Sequence, residues 1–340
     1  HKDIRCTDCH DPHSGLLKLP GNQVCVACHQ HPPGKYDTPA HHHHKSDSTG
    51  ASCVECHMPE TTYMEVDPRR DHSIRIPRPD LSVRLGMPNA CTRCHLTDAK
   101  IADEKRATLP QYRDWMEAAR NGDEEIKAEL ARLDQWALET VNEWYDKTDW
   151  GGHFAEALVV GRRDEPDAGD ILGELIRDKE VPGIARATAI LQRSLLSNPP
   201  PVDAELQALN DDDPQVRAAA VARLEPLIPA VGANALNEQQ LQMLRGQIEP
   251  LVRRLVPLLS DPRRSVRSEA GRVLARVPSQ LASELLNSDQ REALDQAIEE
   301  YIVGLNESSD RGGAHMAQAV LYESMGKLSK ARKPIGRRFM

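Results

Sequence analysis

The chain has 340 residues, a formal net charge of −9, and 28% charged against 39% hydrophobic side chains. No apolar run approaches the ~20 residues that a membrane-crossing helix needs. The acidic balance also excludes a general nucleic-acid binder, which requires a basic surface.

Length allows two or three domains, and composition divides the chain near residue 100. All 8 Cys and all but two of the 14 His fall in residues 1–95. Residues 1–100 are neutral, with 12 basic and 12 acidic side chains, and the rest supplies the whole negative charge. They hold 17 Ile, Leu, Val and Met, no Phe, and turn clusters such as His31-Pro32-Pro33-Gly34. So few apolar side chains cannot offset the entropy of ordering the segment. It must be disordered, stapled, or packed around something other than protein. The sequence opens at His1 without a charged-then-apolar leader, so a targeting segment is expected to have been removed or to lie outside this chain.

Every cysteine belongs to one pattern. The copies are Cys6-Thr7-Asp8-Cys9-His10, Cys25-Val26-Ala27-Cys28-His29, Cys53-Val54-Glu55-Cys56-His57 and Cys91-Thr92-Arg93-Cys94-His95. Cys-x-x-Cys-His is the c-type haem attachment signature. Two thiols at this spacing can form thioethers to both vinyl groups of one porphyrin. The following His then reaches the iron as proximal ligand. Disulfides could use eight Cys but do not require a His after each pair. Zinc could use two Cys pairs per ion. A thioredoxin-like pair needs a strand–helix context that is missing. His is about 4% of the chain, so four chance successes are of order 10⁻⁶. Haem is therefore the favoured reading, and four porphyrin plates would replace the missing apolar core. Without haem the segment is expected to be unfolded.

Eight further His at or before residue 72 exceed an even spread: His1, His13, His31, His41, His42, His43, His44 and His72. This surplus suits bis-His ligation, which marks electron transfer rather than chemistry at iron. His13 is three residues past His10, too close to take the opposite face of the same haem. It is expected to ligate a neighbouring one. One or two of His41–His44 are expected to ligate, the rest contacting propionates or solvent. His72 lies before Pro77 and Pro79 in a run that can drape over a haem. His31 is a weaker candidate, and the iron for His1 could lie on another segment or subunit. Met58, Met64 and Met87 are alternative ligands. Arg69, Arg70, Arg75, Arg78 and Arg84 are either solvated or paired with propionates.

The Cys6–His13 stretch resembles multihaem c-type cytochromes carrying the doubled Cys-x-x-Cys-His module. Asp67–Asp80, with Asp71-His72-Ser73 and Pro77-Arg78-Pro79, is similar to the same group. The closest resemblance is to a subgroup that fuses haem modules to HEAT-like and tetratricopeptide repeats, often with further haem motifs upstream. It implies export across a membrane, to the periplasm or beyond, covalent haem c and low-potential bis-His electron transfer.

From Tyr112 onward the period is helical. Ile126, Leu130, Leu133, Ala137, Val141 and Trp144 predict one face of a helix over Glu124–Tyr145. All four Trp lie between Trp115 and Trp150 and are read as core and domain junction. Asp213-Pro214 and Asp261-Pro262 each read as an N-cap with Pro in the first turn. The following Val216-Arg217 and Val266-Arg267 resemble HEAT-like repeats. Pro182-Gly183-Ile184 with Arg186 opens an earlier, unevenly spaced unit. Ala319, Tyr322, Gly326 and Ala331 match the spacing of one tetratricopeptide unit. The basic tail, Arg332, Lys333, Arg337 and Arg338, reads as a solvated terminus, and His153 and His315 as structural or surface residues. No strand-rich segment, phosphate loop or nucleophilic triad is evident.

The expected fold is mostly α. Residues 1–100 form a loop-rich tetrahaem cytochrome domain, 101–150 a helical linker, 151–308 HEAT-like repeats and 309–340 a partial tetratricopeptide-like end. The expected function is electron transfer through four c-type haems, with redox proteins or other multihaem cytochromes as partners and an oligomer or filament as one form. A haem enzyme of the nitrogen-oxide or hydroxylamine type, with one open iron site, is the alternative, and a structural docking subunit of a redox complex is a third. No Cys-x-x-Cys-Lys variant favours the enzyme.

Overall fold

The structure is a computed structural model that describes residues 4–29, 34–64, 66–229 and 236–331. It is mostly helical, and it divides into two compact units, His1–Gly151 and Gly152–Met340. No helix among the described residues is long and apolar enough to cross a membrane.

The first unit begins with single turns of helix joined by loops: α1 (Cys6–Cys9), α2 (Gln23–Val26), α3 (Pro39–His42) and α4 (Cys53–His57). A hairpin that sequence reading did not anticipate follows, β1 (Glu60–Tyr63) paired antiparallel with β2 (Asp67–Arg70) and Glu60 opposite Arg70. Its strands, Glu60–Tyr63 and Asp67–Arg70, are almost wholly polar and so show no apolar–polar alternation. Then come α5 (Pro79–Leu85), α6 (Ala90–Cys94), α7 (Asp103–Thr108), α8 (Tyr112–Arg120) and α9 (Glu124–Tyr145).

Among the described residues up to 98, Ala51 and Leu81 are the buried hydrophobic side chains. Leu16, Leu17, Ile74 and Ile76 stand exposed, Leu16 by 71% and Ile76 by 73%. The protein core of this unit starts later, where Ala99, Ile101 and Trp115 meet Ile126, Leu130 and Leu133 of α9. Asp123 caps α9, its carboxylate accepting from the Ile126 amide at 3.1 Å, with Glu124 and Glu125 suited to the helix dipole. The face of α9 that the period predicts is buried as far as Val141, but Trp144 is exposed. α9 packs on both α5 and α6.

The second unit is all helix: α10 (Phe154–Arg162), α11 (Ala168–Arg177), α12 (Gly183–Leu195), α13 (Asp203–Ala208), α14 (Pro214–Leu224), α15 (Glu238–Leu255), α16 (Arg264–Leu274), α17 (Ser279–Leu285), α18 (Ser288–Asn306), α19 (Gly312–Ser324) and α20 (Leu328–Ala331). α12, α14, α16 and α18 pack side by side in that order, and one continuous apolar core runs beneath them. An ionic ladder ties the row together. Arg186 of α12 pairs with Asp211. Arg217 of α14 grips both oxygens of Asp261 at 2.8 and 2.9 Å. Arg267 of α16 reaches Glu300 of α18 at 3.0 and 2.5 Å.

Asp213 caps α14 as its sequence suggests, accepting from the Gln215 amide at 2.8 Å. Asp261 does not cap α16. The N-cap is Arg263, and Asp261 accepts from the Arg263 amide while holding Arg217. The basic tail from Arg332, including Lys333, Arg337 and Arg338, lies outside the described residues.

Candidate functional site

Each Cys-x-x-Cys-His copy sits where a short helical turn ends. A turn of helix puts the two thiols on one side and delivers the His just beyond. The eight thiols form no disulfides. Burial pushes Cys53 and Cys91 up to about 11, and thiols so placed make poor thiolates for exchange or metal capture. Among the described residues no group of three or more His, Cys, Asp and Glu gathers in the arrangement that zinc would need.

The copies follow one another in space. Cys9 is an electrostatic neighbour of Cys25, and Cys25 shares a side-chain hydrogen bond with Cys53. Cys56 is a neighbour of both Cys94 and Cys91. The first copy therefore adjoins the second, the second the third, and the third the fourth.

Three proximal-type imidazoles face a second imidazole. The ring centroids of His10 and His72 are 6.3 Å apart, with 37° between planes. His57 and His41 are 6.2 Å apart and nearly parallel at 7°. His95 and His44 are 6.3 Å apart at 45°. An iron bonded at about 2.0 Å to one nitrogen of each ring sets centroids about 6.3 Å apart. The residues present fit an iron between each pair.

The outer ring nitrogens fit as well. His10 Nδ1 bonds the Gly15 carbonyl at 2.7 Å and His72 Nδ1 that of Arg70 at 2.9 Å. His57 Nδ1 bonds the Arg75 carbonyl at 2.8 Å, and His44 Nδ1 that of His42 at 2.5 Å. His95 Nδ1 lies 3.2 Å from an Asp98 carboxylate oxygen. An Nδ1 proton given away in this manner leaves Nε2 as the lone-pair nitrogen, the tautomer a metal ligand requires.

The four-His tract divides. His42 Nδ1 accepts from the His44 amide at 3.2 Å, so a neutral His42 carries its hydrogen on Nε2 and has no lone pair to offer there. His43 lies flat on Trp144, centroids 4.1 Å apart at 7°. His41 and His44 are the members that meet another imidazole. His13 has no ring opposite it among the described residues; its amide bonds Asp11 at 3.1 Å. His29 packs edge-on against Tyr36 at 5.9 Å. His1 and His31 lie outside the described residues. The arginines face carboxylates: Arg69 pairs with Asp67 at 2.6 Å, Arg70 with Glu55 at 2.5 Å, Arg75 with Asp71, Arg78 with Asp80 at 2.7 Å and Arg84 with Asp80 at 3.9 Å.

Sequence reasoning missed the aromatic side chains around these rings. Trp136 lies 4.8 Å from His95, and Tyr145 donates its hydroxyl to the His41 carbonyl at 2.9 Å. Tyr36 touches both His29 and His41, the latter at 5.3 Å. The run of Trp after the last Cys copy was the available signal, read as core; of these Trp, Trp115 alone is buried. Also missed was the buried carboxylate of Asp134. It accepts from the Thr92 hydroxyl at 2.8 Å and from the Asn89 amide at 2.7 Å, fastening α6 to α9. Burial holds Asp134 above the usual carboxylate range, against the pull of these two donors.

The Cys-x-x-Cys-His motifs indicate covalent haem c binding, for which electron transfer is the general role. In agreement, residues 1–33 match the family described as the doubled CXXCH motif, over the copies at Cys6–His10 and Cys25–His29. No curated protein and no solved structure matches the chain.

Proposed function

We propose that the chain is an electron carrier with four covalent c-type haems, six-coordinate through paired imidazoles. Cys6 and Cys9, Cys25 and Cys28, Cys53 and Cys56, and Cys91 and Cys94 hold the four groups, with His10, His29, His57 and His95 as proximal ligands. His72 completes the first site, His41 the third and His44 the fourth. His13 is assigned to an iron on a neighbouring copy rather than to that of His10, and the first and second copies are neighbours. Haem supplies the one-electron couple. The protein's own groups orient the imidazoles, and the carbonyls on Nδ1 fix the tautomer.

One observation carries this reading: three imidazole pairs at 6.2–6.3 Å whose Nδ1 atoms are occupied in five of six rings. The helical row of the second unit is read as a HEAT-like scaffold that docks a redox partner or a larger multihaem assembly. Covalent haem of this type implies an exported protein, periplasmic or extracellular.

A pyridine haemochrome assay is expected to count four haems per chain. EPR and visible spectra are expected to show only low-spin iron. A native high-spin, carbon-monoxide-binding haem would instead favour an oxidoreductase with one open site.

A further inference from the structure

The Nδ1 bonds of the paired imidazoles are not equivalent. His10, His72, His57 and His44 face the backbone carbonyls of Gly15, Arg70, Arg75 and His42. His95 faces a carboxylate, Asp98 Oδ2, at 3.2 Å. The local fold builds this contact. α6 ends at Cys94, and a 3-10 turn over His95–Asp98 returns the carboxylate beside the ring three residues earlier. Among the described residues Asp98 makes no other ion pair. Arg132 bonds the Asp98 backbone carbonyl at 3.1 Å and is an electrostatic neighbour of its carboxylate, while the guanidinium itself is paired with Glu129 at 2.7 and 2.9 Å.

An imidazole that shares its Nδ1 proton with a carbonyl remains neutral. One that shares it with a carboxylate gains imidazolate character and becomes a stronger donor. The added negative charge favours the ferric over the ferrous state and lowers the reduction potential. We propose that Asp98 gives the fourth site, held by His95 and His44, the lowest reduction potential of the three described imidazole pairs. Asp98 acts through His95 and is a positioning residue, not a ligand. The inference rests on the ligand pairing of the proposed function and adds a direction to it. An electron delivered to the fourth site by a low-potential one-electron donor runs downhill toward the sites of His57 and His10.

Asp98→Asn tests this in the intact haem-loaded protein. The amide keeps an oxygen acceptor and removes the charge, and the side chain is 61% exposed, so the fold is not at stake. Potentiometric titration followed by EPR resolves the low-spin components. The lowest-potential component is expected to move up by about tenfold in its ferrous-to-ferric ratio at the original midpoint, which is about 59 mV for one electron. The other components stay in place, and all remain low-spin. His44→Ala marks the site, turning that same component high-spin. A lowest component that does not move, or a shift in one that His44→Ala leaves low-spin, overturns the role of Asp98 while the pairing stands. If His44→Ala produces no high-spin iron, the pairing fails and the role of Asp98 falls with it.

Discussion

His43 closes α3 at a φ of 55°, with its ring on the Trp144 indole. A non-glycine residue in that region is uncommon and held there by its surroundings. The next residue, His44, turns back so that its ring bonds the His42 carbonyl and faces His95. Single substitutions across the tract should therefore separate. His41→Ala and His44→Ala are each expected to convert one haem to a high-spin, carbon-monoxide-binding form, read by EPR and the Soret band. His42→Ala and His43→Ala are expected to leave every haem low-spin. His72→Ala should behave like His44→Ala, at the first site. The proximal residues could be named from spacing because the attachment chemistry is local: five consecutive residues carry it. The proposed distal partners could not. His10 and His72, or His44 and His95, are far apart in sequence, and only folding brings their rings to an iron's width. The division within His41–His44 depends on one backbone angle and one hydrogen bond, neither of which leaves a mark in composition.

α9 buries one face as far as Val141, as its period foretold, and that same burial supports α6, which carries the fourth Cys copy. Asp134→Ala would leave the Thr92 hydroxyl without its acceptor inside the protein, and the Asn89 amide with the Thr92 oxygen alone. The expected cost is about 2 kcal/mol, measured by denaturant unfolding of the haem-loaded protein. Gly271 of α16 is a second point where two helices meet closely. A β-carbon there would come within 2.8 Å of the Ala297 backbone carbon on α18. Alanine gains about 1 kcal/mol in helix propensity, but a clash with backbone costs about 1–3 kcal/mol, so Gly271→Ala is expected to lower the melting temperature.

The ladder residue Asp261 carries a pH dependence of known sign. Burial pushes its carboxyl up, but the Arg217 guanidinium and the Arg263 amide more than offset this and hold it below the ordinary 3.8. A depressed folded value contributes stability that is complete above pH 3.8 and lost as pH falls through the folded value. Thermal melts should thus weaken below pH 3.8, and Asp261→Asn should flatten that acid limb. Removing this nearly buried partner of Arg217 should also cost about 3 kcal/mol at neutral pH. The role of Asp261 was hidden in the sequence because an N-cap and an inter-helix acceptor use the same residue type before the same kind of turn.

The two units differ in what fills them. The second has a continuous apolar core of its own, whereas the first carries exposed Leu and Ile around its Cys copies. Blocking haem attachment, by replacing all eight Cys with Ser, is expected to leave the helices α10–α19 formed and resistant to limited proteolysis. Residues 1–98 should then be digested, with fragments identified by mass spectrometry. Composition forecast this contrast, since a segment with 17 branched or thioether aliphatics and no Phe in its first 100 residues cannot close a core by itself. What composition concealed was the allegiance of α9, which reads as a connector yet packs with α5 and α6.

The ladder has a consequence for how such a chain tolerates change. In both α14 and α16 the arginine bonds the carbonyl of an aspartate six positions earlier, Arg217 that of Asp211 and Arg267 that of Asp261. Each aspartate in turn receives the guanidinium of the preceding unit. Losing or adding one residue inside Asp211–Arg217 or Asp261–Arg267 would rotate the guanidinium away from both acceptors at once. Insertions between Arg217 and Asp261 disturb neither short span. Changes in length are thus expected to be tolerated between these clasps and not inside them, where the same spacing of six recurs ahead of α14 and α16.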